Sequence, residues 1–292
     1  MTAVVLRSPA KINLFLEVVG RRPDGYHEIV SVMQLVDLCD EVALSPRTSG
    51  IRVAVRDAAL PDGPDNLAYR AAAALLDAAG CRDGVDIQLA KRIPIGGGLG
   101  GGSSNAAAVL VGVNRLFALG WTLAELRTFS ARLGSDVPFF LGDALALVTG
   151  RGETLKPLPP WPAQPVVIAN AGRPVSTAWA YGEVSSKLTG GRGQVRLPAF
   201  TGKDGLPWPP VWAFNRFEEA VLPHRPEIGA LRALLLQGGG APVLMSGSGG
   251  SVFAVVPDGA AAARMAQAAR DAGWFAAAVA TLIDNPLRNP EA

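Results

Sequence analysis

The chain is 292 residues long, about half of them apolar, with 27 basic and 25 acidic side chains. That length buries a sizeable core and suits two domains, while the near-balance of charge excludes the basic field expected of a nucleic-acid binder. With only Cys39, Cys81 and two histidines, a disulfide framework is excluded and a dedicated transition-metal site is not expected.

Residues 1–7 carry no basic stretch leading into a long apolar run, so no signal peptide is expected. No uncharged apolar run reaches the roughly 18 residues of a spanning helix, and Arg115 interrupts the longest candidate, around residues 106–119. A soluble cytoplasmic protein, with neither a membrane nor a nucleic-acid partner, is the expectation.

Residues 1–60 read as β structure. Ile12, Leu14, Leu16 and Val18 alternate with Asn13, Phe15, Glu17 and Val19, the period of a strand with one buried face. Pro23-Asp24-Gly25 is turn chemistry. Strands are predicted over 27–36, 41–44 and 51–55, a helix over 66–79 ended by Gly80, and a strand over 85–89.

Next comes Pro94-Ile95-Gly96-Gly97-Gly98-Leu99-Gly100-Gly101-Gly102-Ser103-Ser104. From Asn105 the pattern turns helical, with Ala106, Leu110, Val113 and Phe117 on one face. A second helix is predicted over 122–133, capped by Thr122, then a strand over 144–148. The Pro-rich stretch 157–165 reads as a linker, dividing the chain into domains 1–156 and 157–292. A strand begins at 166, and 190–210 reads as a long loop. Beyond it, a helix is predicted over 227–236, strands over 243–245 and 252–256, an Ala-rich helix over 260–272 and a last strand over 276–282. This order favours two α+β domains.

The glycine segment carries the first chemical signal. Glycines let backbone N–H groups approach a ligand unobstructed, and a helix start leaves N–H donors unpaired beside partial positive charge. Between a strand and a helix these make a phosphate cradle, to which Ser103 and Ser104 add hydroxyls that could reach phosphate or a magnesium-bound water. The alternative is a flexible loop capped by serine. No lysine follows the glycines, so this is not a Walker loop. The acidic residue a dinucleotide fingerprint requires is also missing.

Three separated motifs, Pro9-Ala10-Lys11-Ile12-Asn13-Leu14, the Gly/Ser segment, and Met245-Ser246-Gly247-Ser248-Gly249-Gly250, together resemble the GHMP kinase superfamily of alcohol phosphotransferases. Asp24-Gly25-Tyr26-His27-Glu28 and the lengthened loop 98–105 resemble the branch whose acceptor is a cytidine-diphosphate-linked methylerythritol in non-mevalonate isoprenoid synthesis. The similarity includes Asp65-Asn66-Leu67 and Asp136-Val137-Pro138-Phe139-Phe140, and is weakest across 190–210.

The resemblance implies a two-domain α+β fold of the GHMP kinase type, with the active site in the interdomain cleft. It places ATP, the phosphoryl donor, on Pro94, Gly96, Gly97, Gly98, Leu99, Gly100, Gly101, Gly102, Ser103 and Ser104, with magnesium expected. It implies Asp136 as the base that takes the acceptor proton and Lys11 as its partner; a strand-end lysine and a turn aspartate are the alternatives. It assigns Asn13, Tyr26, His27, Asp136, Thr177 and Tyr181 to the acceptor, with Tyr26 and Tyr181 sandwiching the cytosine and His27 reading its edge. For Asn13 a structural role stays open, and for Tyr181 interdomain packing. Gly247, Ser248 and Gly249 are expected to close over the phosphates, or else to form a tight hairpin turn.

The protein ligands of the magnesium are not indicated, Ser103 and Ser104 being the candidates. Other kinases of the superfamily, acting on homoserine, a sugar or mevalonate, are the nearest rivals, and a non-catalytic nucleotide-binding regulator is a more distant one. Retention of both Lys11 and Asp136 speaks against the regulator. Oligomeric state is not legible: Trp208 and Trp212 read either as an interface or as a loop anchor.

Overall fold

The computed structural model describes residues 3–56, 58, 60–187 and 207–288. The predicted loop therefore lies outside the described residues except at 207–210. In chain order the elements are β1 (Val4–Arg21), β2 (His27–Arg47), β3 (Ile51–Arg56), α1 (Leu67–Ala78), β4 (Gly84–Ala90), α2 (Gly101–Leu116), α3 (Leu123–Ser130), β5 (Leu145–Gly150) and β6 (Thr154–Pro157). There follow β7 (Pro165–Asn170), α4 (Thr177–Lys187), β8 (Phe214–Asn215), α5 (Glu218–Val221), α6 (Pro226–Gln237), β9 (Val243–Met245), β10 (Ser251–Val255), α7 (Gly259–Asp271) and β11 (Phe275–Ala280).

Two sheets organise the fold. The seven-stranded sheet runs β3-β4-β2-β1-β8, with β5 also on β2 and β6 on β5. The four-stranded sheet runs β11-β7-β10-β9, antiparallel throughout. Among the described residues, all strands before residue 158 lie in the first sheet, and only β8 returns to it from the second half, pairing parallel with β1.

Local chemistry sets the boundaries. Asn66 caps α1 by accepting from Ala68 N at 2.9 Å, and Gly80 leaves it at a positive φ. Thr122 and Glu125 form a reciprocal capping box on α3. Asp258 caps α7 through Ala261 N at 2.7 Å.

Three features differ from the expectation. The first strand is buried on both faces between Ser8 and Leu16, not on one. Its Ala10, Ile12, Leu14 and Phe15 join a core shared with Val166, Ile168, Leu244 and Phe253 of the second sheet, while Lys11 and Asn13 on the opposite face are buried by bonds to Gly98, Ser31 and Gly247. Residues 27–36 and 41–44 belong to one strand, β2, interrupted by a register shift opposite Pro9/Ala10. Pro9 has no N–H to give, and the bulge puts Asp37 Oδ1 in place to accept from Ala280 N at 2.8 Å. Finally, α2 begins at Gly101, inside the glycine run, and is buried on nearly every side from Ser104 to Val113, so the single apolar face was an underestimate.

Trp208 packs against Trp161, ring centroids 5.1 Å apart, and Trp212 Nε1 donates to Pro207 O. Both flank the core between the sheets, which fits the loop-anchor reading.

Candidate active site

The three motifs converge on one cleft of about 420 Å³. It is lined by Lys11 and Asn13 of β1, the turn from Pro94 to Gly100, the start of α2 through Ser103, Asp136, Thr177 and Tyr181 of α4, and Gly247 and Ser248.

Lys11 and Asn13 stand two residues apart and so share a face of β1. The lysine is 3% exposed. Its Nζ donates to Asn13 Oδ1 at 2.6 Å and Gly98 O at 2.8 Å, and lies 3.9 Å from Asp136 Oδ2. Burial pulls the ammonium below its ordinary value, and the charge of Asp136 works against that. The Asp136 side chain is one-third exposed, in the cleft. It precedes a short 3₁₀ turn, Val137–Leu141, yet makes no side-chain bond to cap it, so its carboxylate is not spent on the backbone.

Gly100 sits left-handed at the N-cap of α2, at φ 71°, and no side chain caps the helix. The first N–H groups of a helix have no partner inside it, and Gly101, Gly102 and Ser103, which carry them here, line the cleft. Ser104 departs from the expected ATP contact. It is fully buried, its N donates to Gly100 O, and its Oγ accepts from Ser8 Oγ at 2.7 Å. Position decides this: Ser104 lies at the helix's inner face, Ser103 at its mouth.

At the C-terminal motif, Gly247 N donates to Asn13 Oδ1 at 2.9 Å, so that N–H is engaged by the protein. Ser248 Oγ lies 3.1 Å from Thr177 Oγ1 and lines the cleft. Gly249 turns back, its N donating to Ser246 O. Asn13 has little left for an acceptor: Oδ1 takes Lys11 and Gly247, and Nδ2 donates to Ser31 Oγ at 2.8 Å.

The aromatic residues are arranged differently from a two-tyrosine sandwich. His27 stacks on Tyr181, centroids 4.6 Å apart and planes at 21°. Ser185, one turn along α4, explains this: His27 Nε2 lies 2.5 Å from Ser185 Oγ, which holds the imidazole over the phenol. Tyr26 is half exposed, with the Arg151 guanidinium 4.7 Å from its ring centroid. The Ser185 hydroxyl donates its hydrogen to Tyr181 O at 2.8 Å, so its bond to His27 is accepted from Nε2–H. That network puts a proton on Nε2, which leaves Nδ1 bare when the imidazole is neutral. Burial, and secondarily Arg21, hold His27 below the usual histidine value. Burial, with the charge of Asp136, pushes the Tyr181 phenol up, so it stays protonated.

Sequence reasoning missed Lys91 and Asp40. Lys91 lines the cleft, pairs with the buried Asp40 carboxylate and donates to Asn105 Oδ1 at 2.9 Å. Asp40 also accepts from Arg92 N, Ile93 N and Asn105 Nδ2, which pins the turn entering the glycines. Sequence alone does not distinguish Asp40 from its neighbours Asp37 and Glu41, although of the three it carries the fully buried carboxylate. Among the described residues, no helix is long and apolar enough to cross a membrane.

Such a cleft, with a bare helix N-terminus on one side and a buried lysine beside a carboxylate on the other, defines a phosphotransferase of the GHMP kinase class. Residues 66–143 match the GHMP kinases N terminal domain model and residues 211–273 the GHMP kinases C terminal model. The chain is 43% identical over 283 residues to the 4-diphosphocytidyl-2-C-methyl-D-erythritol kinase of Geobacter sulfurreducens, covering 97% of this chain and all of the relative. The same-named kinase of a Synechococcus strain is 42% identical, covering 88% and 86%. A crystal structure of 4-(cytidine 5'-diphospho)-2C-methyl-D-erythritol kinase superposes with a TM-score of 0.79 at 38% identity, covering 95% of this chain and 99% of that one. Homoserine kinase from Cytophaga hutchinsonii shares the fold at a TM-score of 0.69 with 18% identity, covering 98% and 96%. The chain belongs to the 4-diphosphocytidyl-2-C-methyl-D-erythritol kinase family.

Proposed function

We propose that this protein transfers the γ-phosphoryl group of ATP to the 2-hydroxyl of 4-diphosphocytidyl-2-C-methyl-D-erythritol, in the non-mevalonate route to isoprenoids. The observation that carries the reading is the Lys11–Asp136 pair facing a bare helix N-terminus across one cleft. The setting is the cytoplasm. The domains are 1–156, which carries the ATP-binding turn, and 157–292, with the cleft between them.

ATP lies with its phosphates on the N–H groups of Gly101, Gly102 and Ser103, where helix dipole and unpaired donors favour negative charge. Asp136 takes the proton of the acceptor hydroxyl. The hydroxyl oxygen forms the new bond to the γ-phosphorus as the bond to the β-phosphate oxygen breaks, and ADP leaves. Lys11 stands beside the Asp136 carboxylate and offsets charge on the nascent alkoxide.

Magnesium is commonly held by one or two carboxylates together with substrate phosphates. Among the described residues no group of three His, Cys, Asp or Glu is placed to hold an ion. With Ser104 turned inward, the donor set at the helix start fits a magnesium carried mainly by nucleotide oxygens and touched by Ser103. Such an ion would neutralise charge on the transferring phosphates.

The acceptor's base is gripped by the exposed ring of Tyr26 and read at its edge by His27. A bare Nδ1 accepts from the 4-amino group of cytosine but faces the carbonyl oxygen of uracil unfavourably. Tyr181 backs the imidazole and holds it in place.

The test is a comparison of acceptors. With ATP, kcat/KM should be highest for the cytidylated polyol, far lower for its uridylated counterpart, and negligible for homoserine, galactose or mevalonate. Because the His27 value lies below 6.5, the imidazole is neutral at pH 7 and charges only on acidification. Protonation converts Nδ1 from acceptor to donor, so cytosine preference should fade as pH drops through that value. His27→Ala should show weak base preference at every pH. Equal turnover of homoserine would overturn the acceptor, and an unchanged acid limb in His27→Ala would overturn the base reader.

A further inference from the structure

We propose that Asn215 is a positioning residue for phosphoryl transfer, one that fixes the C-terminal Gly/Ser turn at the height where it meets Lys11. The proposal rests on the kinase reading above.

Asn215 is 1% exposed on the two-residue strand β8, directly opposite Leu16 of β1. It is thus anchored to the strand that carries Lys11, although 204 residues (215 − 11) separate the two in sequence. Its Nδ2 gives both hydrogens to the turn, to Met245 O at 2.8 Å and Gly247 O at 2.9 Å. Its Oδ1 accepts from Phe217 N at 2.9 Å, which fixes the amide's orientation. Neighbouring Glu218 completes the grip by accepting from Met245 N at 2.8 Å.

Gly247 is therefore held at both of its peptide groups, its C=O by Asn215 and its N–H by Asn13. The Asn13 oxygen that takes this N–H also takes Lys11 Nζ. Ser246 Oγ donates to Gly98 O, which Lys11 also uses. The turn and the lysine thus share two acceptors, and displacing one disturbs the other. Ser248, the next residue, lines the cleft together with Gly247 and sits beside Thr177. Asn215 reaches none of the reacting groups. It acts through Gly247 and Ser248.

Only a primary amide offers two hydrogens to two carbonyls while accepting a third bond. Asn215→Ala leaves both carbonyls without these donors, and a turn free to move by about 1 Å loses on the order of 10²-fold in rate. Variants are assayed on whichever acceptor the wild type turns over fastest, at a temperature where circular dichroism shows them folded. A wrong acceptor assignment then leaves the test intact, and an inactive wild type would expose failure of the kinase reading before any variant is compared.

The expected result is a kcat fall of about 10²-fold in Asn215→Ala, the scale of such a misplacement, with the Kd for ATP nearly unchanged. In a Ser248→Ala background the same substitution should cost much less, because its effect passes through that turn. Asn215→Ser, which keeps one hydroxyl donor, should fall between; it stands in should Asn215→Ala not fold. Wild-type kcat in whichever variant folds, or a loss undiminished in the Ser248→Ala background, would overturn the proposal.

Discussion

Asp136→Asn is expected to lower kcat by about 10²–10⁴-fold, the usual worth of a general base, while the protein stays folded. The fold should survive because Asp136 makes no capping bond to the 3₁₀ turn that follows and is one-third exposed. The rate should not, because the amide keeps the shape but its uncharged oxygen is too weakly basic to take the proton. The substitution also removes the charge that supports the buried Lys11 ammonium, which burial already pulls below its ordinary value. The lysine should therefore lose its proton at lower pH in the variant, and the basic limb of kcat should move down. Steady-state rates with a thermal melt decide the matter. A variant within a few-fold of wild-type kcat would make Asp136 structural.

Gly98→Ala is expected to be nearly as damaging, for a reason of contact rather than chemistry. Gly98 adopts φ 74°, a conformation that costs other residues about 1–3 kcal/mol. A Cβ there would overlap Ser246 O, so the two Gly-rich turns must move apart. Both Lys11 and Ser246 donate to Gly98 O, and the displacement reaches the lysine directly. A shift of about 1 Å at a reacting pair costs on the order of 10²-fold. We expect a kcat loss of at least that order together with a lowered Tm. Wild-type values of both would mean that the turns do not meet as described.

This contact shows what the sequence could and could not convey. That Lys11, the glycine run and residues 245–250 act together was legible from motif order. That Lys11 and Ser246 meet on the one carbonyl of Gly98 was not, because the partners lie 87 and 148 positions from it in sequence. Capping chemistry was read at Gly80 and Thr122, which bound helices where expected, whereas Asn66 caps the helix it was expected to begin. Burial was read poorly. Alternation along β1 signals one wet face, yet Asn13 on that face is buried by bonds to Lys11, Ser31 and Gly247, and no local pattern announces a partner as distant in sequence as Gly247. The glycines were read as openings toward a ligand, but a Cβ at Gly101 would meet Ile93 at 3.0 Å and Lys91 Nζ at 3.3 Å, so packing is what excludes it there. Asn215 and Ser185 were invisible for a related reason. Each works by bonding groups far away in sequence or in the adjoining helical turn, and a single polar residue carries no period.

The most direct measurement of the central claim is the position of the phosphate on the product. The 2-carbon of the acceptor bears the methyl group, so the 2-hydroxyl is tertiary and its carbon has no hydrogen. Phosphate placed there gives a phosphorus resonance without splitting by a proton on the attached carbon, alongside the diphosphate signals. That resonance is expected to form in step with ADP when ATP, magnesium and the cytidylated polyol are supplied together. A product phosphate split by methine or methylene protons, or ADP formed at the same rate without the polyol, would contradict it.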